Sequence, residues 1–297
     1  MIFVYINKNY NMKIIVSLVF SLFFCFGAYA QYKSLGNIDE SGMTIEDRIM
    51  VPEGYVRPPY PDFTFQYFLK SLPMKSADAK VVKYDGFDKF FESYSAVIDL
   101  QFDKSIDKIH SEHLIQYLRG MYLHQNEKFE LINFSTDDNR DLNFQEYGSG
   151  MRWEWQDSVW VKTSGGVADF SENSFLEFME EVYSHSTTNG LATDTRLLEV
   201  GEISVGDVFI QPASGRGKGH SVIIMDMAVD PLTGERLVLL GQGFAPTQDM
   251  HILKNPYEED ISPWYRVKED DYFFTTIQWT FRKKHCRRFI INANAQS

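Results

Sequence analysis

Cysteine is nearly absent from this chain: among 297 residues there are two, Cys25 and Cys286. Cys25 lies in a segment expected to be cleaved off, which leaves Cys286 alone and excludes an internal disulfide, so the fold must be held by its core. Positive charge is also scarce. The 29 Lys and Arg residues face 41 Asp and Glu, for a net charge of −12, which argues against nucleic acid or an anionic membrane surface as partner. The acidic surface signals solubility and does not point to a cationic substrate. Internal repeats and long low-complexity linkers are missing as well, so nothing divides the chain into several domains.

A membrane-spanning apolar run is missing too. The one sustained run, Ile14 to Phe26, follows Lys13 and ends in Ala28-Tyr29-Ala30 before Gln31. It is too short for a span. A basic flank, a short apolar stretch and small residues in an A-x-A arrangement make the pattern of a secretory signal peptide. Residues 1–30 are therefore expected to be a leader, and residues 31–297 a single exported domain, periplasmic or extracellular in a bacterium. Lipidation at Cys25 is disfavoured by the bulky Phe23 and Phe24 before it.

Periodicity then outlines the domain. Pro52, Pro58, Pro59 and Pro61 give an extended lead-in, after which Asp62 is expected to cap a helix carrying Phe65, Phe68, Leu69 and Leu72. A strand is expected over residues 96–102. The spacing of Ser111, Ile115, Leu118 and Tyr122 predicts a long helix over 105–125, which puts Ser111 more than a turn inside it. Residues 130–135 read as a short strand. Residues 151–162 read as a hairpin turning at Gln156-Asp157-Ser158, with Trp153 and Trp155 on one face. Residues 172–184 read as a helix with Phe175, Phe178, Met179 and Val182 as its buried stripe, and a second helical piece carries Leu191, Leu197 and Leu198. Three strands over 205–210, 221–229 and 235–242 follow on short connections that make them antiparallel neighbours. A last edge strand is expected over 275–281. Helices first and an antiparallel meander later define an α+β fold.

The chemistry-bearing residues gather around Gly206-Asp207-Val208-Phe209-Ile210 and Gly219-His220-Ser221-Val222-Ile223-Ile224-Met225-Asp226. Val222 to Met225 are too apolar for a half-exposed strand, so His220 is expected at the mouth of a buried one, where a general base is often held. A small nucleophile position on a helix, a His opening a strand and a polar residue closing the next strand follow one another as Ser111, His220 and Gln242. This order resembles the papain-like peptidases and amidases that cut cell-wall peptides, in which a thiol at a helix start is activated by a His that a third polar residue orients. Ser111 departs from that pattern, because a hydroxyl is far harder to ionise than a thiol. Asp226 and Asp230 are alternative partners for His220, but Asp226 is six strand residues away, about 20 Å.

Other clusters are weaker. His110 and His113 sit one helical step apart with Glu112 between them, without the four-residue spacing of a zinc-protease helix, so a solvated polar face is the better reading and no metal is expected. The Gly215-Arg216-Gly217-Lys218-Gly219 loop lacks the ending and the following helix of a phosphate loop, which leaves Arg216 and Lys218 as rim cations able to meet a substrate carboxylate. Lys283, Lys284, Arg287 and Arg288 are expected to lower the Cys286 thiol pKa. Cys286, however, follows the last expected strand, an unusual place for a nucleophile. No cofactor is implied.

The chain as a whole resembles the secreted bacterial family called domain of unknown function 4846. The resemblance runs in order from Val51-Pro52-Glu53-Gly54-Tyr55 and Phe68-Leu69-Lys70-Ser71-Leu72-Pro73 through Leu118-Arg119-Gly120-Met121-Tyr122-Leu123. It continues in the two His220-region segments and in Gln242-Gly243-Phe244-Ala245-Pro246, His251-Ile252-Leu253-Lys254-Asn255-Pro256 and Pro263-Trp264-Tyr265. The family pattern implies a Cys where this chain has Ser111: if that Cys is a nucleophile in relatives, this chain is a non-catalytic version, and if it is only a small core residue, Ser111 is a plain replacement. The expected function is an envelope domain of the cysteine peptidase or amidase kind with Ser111 at the nucleophile position. The alternative is a non-catalytic protein that binds cell-envelope peptide or glycan through Trp153, Trp155, Arg216, Lys218 and Trp264.

Overall fold

The fold is seen in a computed structural model that describes residues 37–215 and 217–290. The expected leader and Arg216 lie outside the described residues. Short helices α1 (Ile45–Arg48) and α2 (Phe65–Lys70) come first, then strand β1 (Tyr94–Val97) and the long helix α3 (Ser111–Gln125). Strands β2 (Asn133–Ser135) and β3 (Asp141–Asn143) pair, helix α4 (Phe144–Gly148) follows, and β4 (Met151–Gln156) and β5 (Val159–Ser164) form a hairpin. Helices α5 (Glu172–His185) and α6 (Thr188–Thr193) precede β6 (Thr195–Leu197), β7 (Val208–Gln211), β8 (His220–Val229), β9 (Arg236–Gln242), β10 (His251–Leu253) and β11 (Tyr265–Val267). The hairpin β12 (Phe273–Thr275) and β13 (Thr280–Arg282) and the strand β14 (Cys286–Phe289) close the described chain.

Eight of these strands make one sheet in the order β1-β10-β9-β8-β7-β14-β6, with β11 also on β9. Every pairing in it is antiparallel, so this is an α+β fold in which helices pack on an antiparallel sheet. The centre is β8, where every residue from His220 to Ala228 is buried. Burial on both faces is the reason its sequence runs apolar instead of alternating. Helices α2 and α3 lie against β8, while on the far side Phe209 of β7 stacks on Phe274 at 4.6 Å and meets Phe281 at 5.8 Å. A bulge between Ile224 and Asp226 resets the alternation in β8. Asp226, fully buried, receives the Arg57 guanidinium at 2.7 Å, so the Pro-rich lead-in is bolted to the sheet. No helix among the described residues is long and apolar enough to cross a membrane.

Several elements differ from the sequence reading, each for a tertiary reason. Thr64, not Asp62, caps α2, accepting from Tyr67 N. Helix α3 begins at Ser111 rather than at residue 105. The preceding residues are claimed by a distant loop: Lys108 N and Ile109 N donate to Thr247 Oγ1 at 2.9 and 2.8 Å, and Asp107 Oδ1 accepts from Thr247 N at 2.7 Å. Ser111 is therefore the first residue of the helix, not one buried a turn inside it. The expected edge strand near the C-terminus is the separate β12–β13 hairpin.

Cys286 also differs. It opens β14 in the main sheet, opposite Phe209, and is fully buried. Burial pushes its thiol up to about 12. Asp207 pushes the same way, and Arg288, paired with Asp207 at 2.7 Å, offsets only part of the rise.

Candidate functional site

The first residue of α3, the first of β8 and the last of β9 converge on one edge of the sheet. Gly219 is the entry to β8, and a Cβ there would lie 1.9 Å from Thr188 Oγ1. Only the missing side chain lets the Gly-rich loop pass so close to α6. His220 then starts the strand opposite Gln211. Gln242 closes β9 opposite His251.

His220 and Gln242 are in direct contact, Nε2 to Oε1 at 2.9 Å. The amide nitrogen of Gln242 is used on Gln278 Oε1 at 2.7 Å, which aims its oxygen at the imidazole. Nε2 of His220 is thus the donor, and Nδ1 is the nitrogen left with a lone pair and with no hydrogen-bond partner among the described residues. The ring is wedged between Phe244, Trp279 and Phe281 at centroid distances of 5.1, 4.8 and 6.0 Å. That burial is the main reason its pKa falls to about 4; the Lys89 charge pushes the same way, while the Gln242 bond and Glu112 oppose it. At neutral pH the ring is an uncharged imidazole.

Ser111 reaches the same strand end by a different contact. Its Oγ accepts from Ser221 N at 3.2 Å, lies 3.3 Å from Ser221 Oγ, and donates to Glu112 Oε2 at 3.0 Å. The hydroxyl proton is committed to a carboxylate, and none of these bonds goes to the His220 ring. Successive residues of a strand point to opposite faces. The side chains of Ser221 and His220 accordingly part company, Ser221 toward α3 and His220 toward the β12–β13 side. The serine and the imidazole share a strand end without sharing a hydrogen bond.

Two further residues belong to this polar group. Lys89 Nζ donates to Gln278 Oε1 at 3.1 Å, lies 3.4 Å from His251 Nε2, and sits 5.2 Å from the centre of the Phe244 ring. His251 turns Nδ1 to the Asp249 carbonyl at 2.9 Å and so offers its Nε2 lone pair to Lys89 and to Gln242 Nε2 at 3.4 Å. Burial lowers Lys89 to about 8 and His251 to about 3. Lys89 sits in an irregular loop that periodicity does not mark. His251 could have been found from its place in the family pattern.

The expected binding residues scatter. Trp264 is fully buried, its indole N–H donating to the Met50 carbonyl at 2.8 Å with Arg57 over its ring, so it is a core residue and lines no surface. Lys218 is exposed in the loop before His220. Trp153 is half-buried in the β4–β5 hairpin, flanked by Arg140 and Lys162. Trp155 is exposed and meets Trp160 edge-on at 5.3 Å. Trp153 also borders a shallow cavity of about 50 Å³.

His110, Glu112 and His113 bring potential metal-ligating atoms within 4.8 Å of one another. The donor set does not suit a cation. His113 Nδ1 accepts from His110 N at 3.1 Å, so its Nε2 carries the proton and donates to the Ser186 carbonyl at 2.8 Å. With both nitrogens engaged, His113 has no lone pair to give.

No curated protein and no solved structure matches this chain. The profile of the family described as "Domain of unknown function (4846)" matches residues 45–288, from the start of α1 into β14, a span that includes Ser111, His220, Gln242, Lys89 and His251. The chain belongs to that family.

Proposed function

We propose that this is an exported domain of the cysteine peptidase or amidase kind, in which Ser111 holds the place of the nucleophile. Peptide-bond cleavage has lapsed, and an envelope peptide is still bound at the His220 edge. The observation that carries the reading is the pairing of His220 Nε2 with Gln242 Oε1 beside the first residue of α3. Gln242 orients the His220 base through one nitrogen, but the ring and Ser111 leave β8 on opposite faces, which accounts for the loss of cleavage. The first turn of a helix and the Ser221 N–H would favour a thiolate at position 111, against the Glu112 carboxylate beside it. A hydroxyl gains too little from them, and the Ser111 proton goes to Glu112.

The test is Ser111→Cys. Position 111 is buried, as Cys286 is, so the readout is relative: at pH 7 iodoacetamide should alkylate the thiol at position 111, mapped by mass spectrometry, faster than it alkylates Cys286. The wild-type protein should bind cell-wall peptides without cutting them. A folded Ser111→Cys protein whose thiol at position 111 reacts no faster than Cys286 would sink the proposal, as would cleavage by the wild type that survives Ser111→Ala.

A further inference from the structure

Eight residues along α3 from Ser111, about 12 Å at the rise of a helix, Arg119 has no assigned task. Its guanidinium lies among three aromatic rings, 5.1 Å from Phe65, 5.7 Å from Tyr122 and 5.6 Å from Phe289. No carboxylate pairs with it and no carbonyl accepts from it among the described residues. Aromatic faces hold a guanidinium through its plane and leave the N–H groups on its edge without acceptors. Burial draws its pKa below the ordinary arginine value, a sign that the charge is poorly solvated. A partly buried, unpaired guanidinium costs free energy that an anion would restore.

The surroundings say which anion. Arg119 lines a cavity of about 490 Å³ whose wall includes Phe63, Tyr122, Leu123 and Phe289. Arg288 in the same wall is neutralised by Asp207 through two bonds of 2.7 Å, and Lys128 is matched in number by Glu130. On this wall Arg119 is the excess charge, although it also borders a smaller cavity of about 230 Å³ with Asp141 and Asp194. One fixed positive charge beside two acids favours a singly charged ligand over a dianion, and the guanidinium edge fits a carboxylate with two parallel bonds.

We infer that Arg119 and its aromatic cage form a binding site for the carboxylate of a small ligand with an apolar or aromatic body, separate from the His220 edge. Benzoate is a suitable probe, with benzamide as its neutral counterpart and inorganic phosphate as the competing anion, each titrated into the full chain by calorimetry and thermal shift. Benzoate should bind and raise the melting temperature, whereas benzamide and phosphate should not. Arg119→Gln should weaken benzoate at least tenfold and Arg119→Lys by a smaller factor, because a lysine keeps the charge and loses the fork. Phe63 is exposed and lies on the cavity wall, so Phe63→Ala should weaken benzoate severalfold without disturbing the fold, even if the Arg119 variants do not fold. The inference is overturned if benzoate does not bind, if benzamide or phosphate binds as well as benzoate, or if Phe63→Ala and the folded Arg119 variants bind it unchanged.

Discussion

At the scale of single residues, burial decides the chemistry of this molecule more than charge does. Cys286 lies in a run of Lys and Arg and yet its thiol is pushed up, because the sheet covers it and Asp207 is near, which together outweigh Arg288. His220 and His251 show the opposite sign of the same effect: desolvation disfavours the charged imidazole and lowers both pKa values. In an NMR titration the ring signals of these two histidines should stay at their neutral positions from pH 8 down to about 5, where a solvated histidine is largely protonated. An ordinary titration of the His220 ring near pH 6.5 would mean that the cage of Phe244, Trp279 and Phe281 is open in solution. Which nitrogen of His220 is available could not be read from the sequence. It follows from the amide of Gln242, whose own orientation depends on Gln278, thirty-six positions further on.

At the scale of elements, residue pattern set the type and tertiary contact set the ends. The three central strands and α5 lie within a residue or three of where periodicity put them, because each carries enough apolar side chains on its buried surface to be recognised alone. The start of α3 was misplaced, since a run that could continue a helix is drawn away by Thr247, about 140 positions distant and silent in local sequence. The six-residue shift matters for the site, because it turns Ser111 from an interior position into the opening one. Entry to β8 is set in a similar way by Gly219 against Thr188. Gly219→Ala should destabilise the protein by about 1–3 kcal/mol, since the added methyl overpacks a contact with no room to yield. Urea unfolding measures this, and Thr188→Ala in the same chain should recover part of the loss. Fully additive effects would show that the two residues do not touch.

At the scale of the whole molecule, buried ionisable groups on the two sides of the sheet pull stability in opposite directions with pH. His220 and His251 have folded pKa values depressed from 6.5, so the stability they permit is present above pH 6.5 and is lost as pH falls toward about 4 and about 3. Asp194 behaves in reverse. Burial, with help from Asp141, raises its carboxyl from 3.8 to about 7, and its Oδ2 has no hydrogen-bond partner among the described residues. Its contribution is therefore present below pH 3.8 and lost as pH rises through about 7. Asp194→Asn keeps an oxygen for Ser135 N and removes that titration. Denaturation at pH 5 and pH 8 should show the variant gaining on the wild type by on the order of 1 kcal/mol per pH unit across the window. A gap that does not change with pH would contradict a protonated Asp194.

The sequence by itself determined the α+β class and the antiparallel meander at its centre, because local physics fixes apolar patterning. The family is carried by motif segments in order along the chain, and Gln242 as the partner of His220 is what the papain-like resemblance implies. Only the tertiary structure decided where α3 begins, that Trp264 and Cys286 are core, that Ser111 bonds to Ser221 and Glu112 instead of the imidazole, and that Lys89 and His251 join the polar group. Each of those depends on a contact between segments far apart in the chain, and such a contact leaves no periodic trace in the residues that make it.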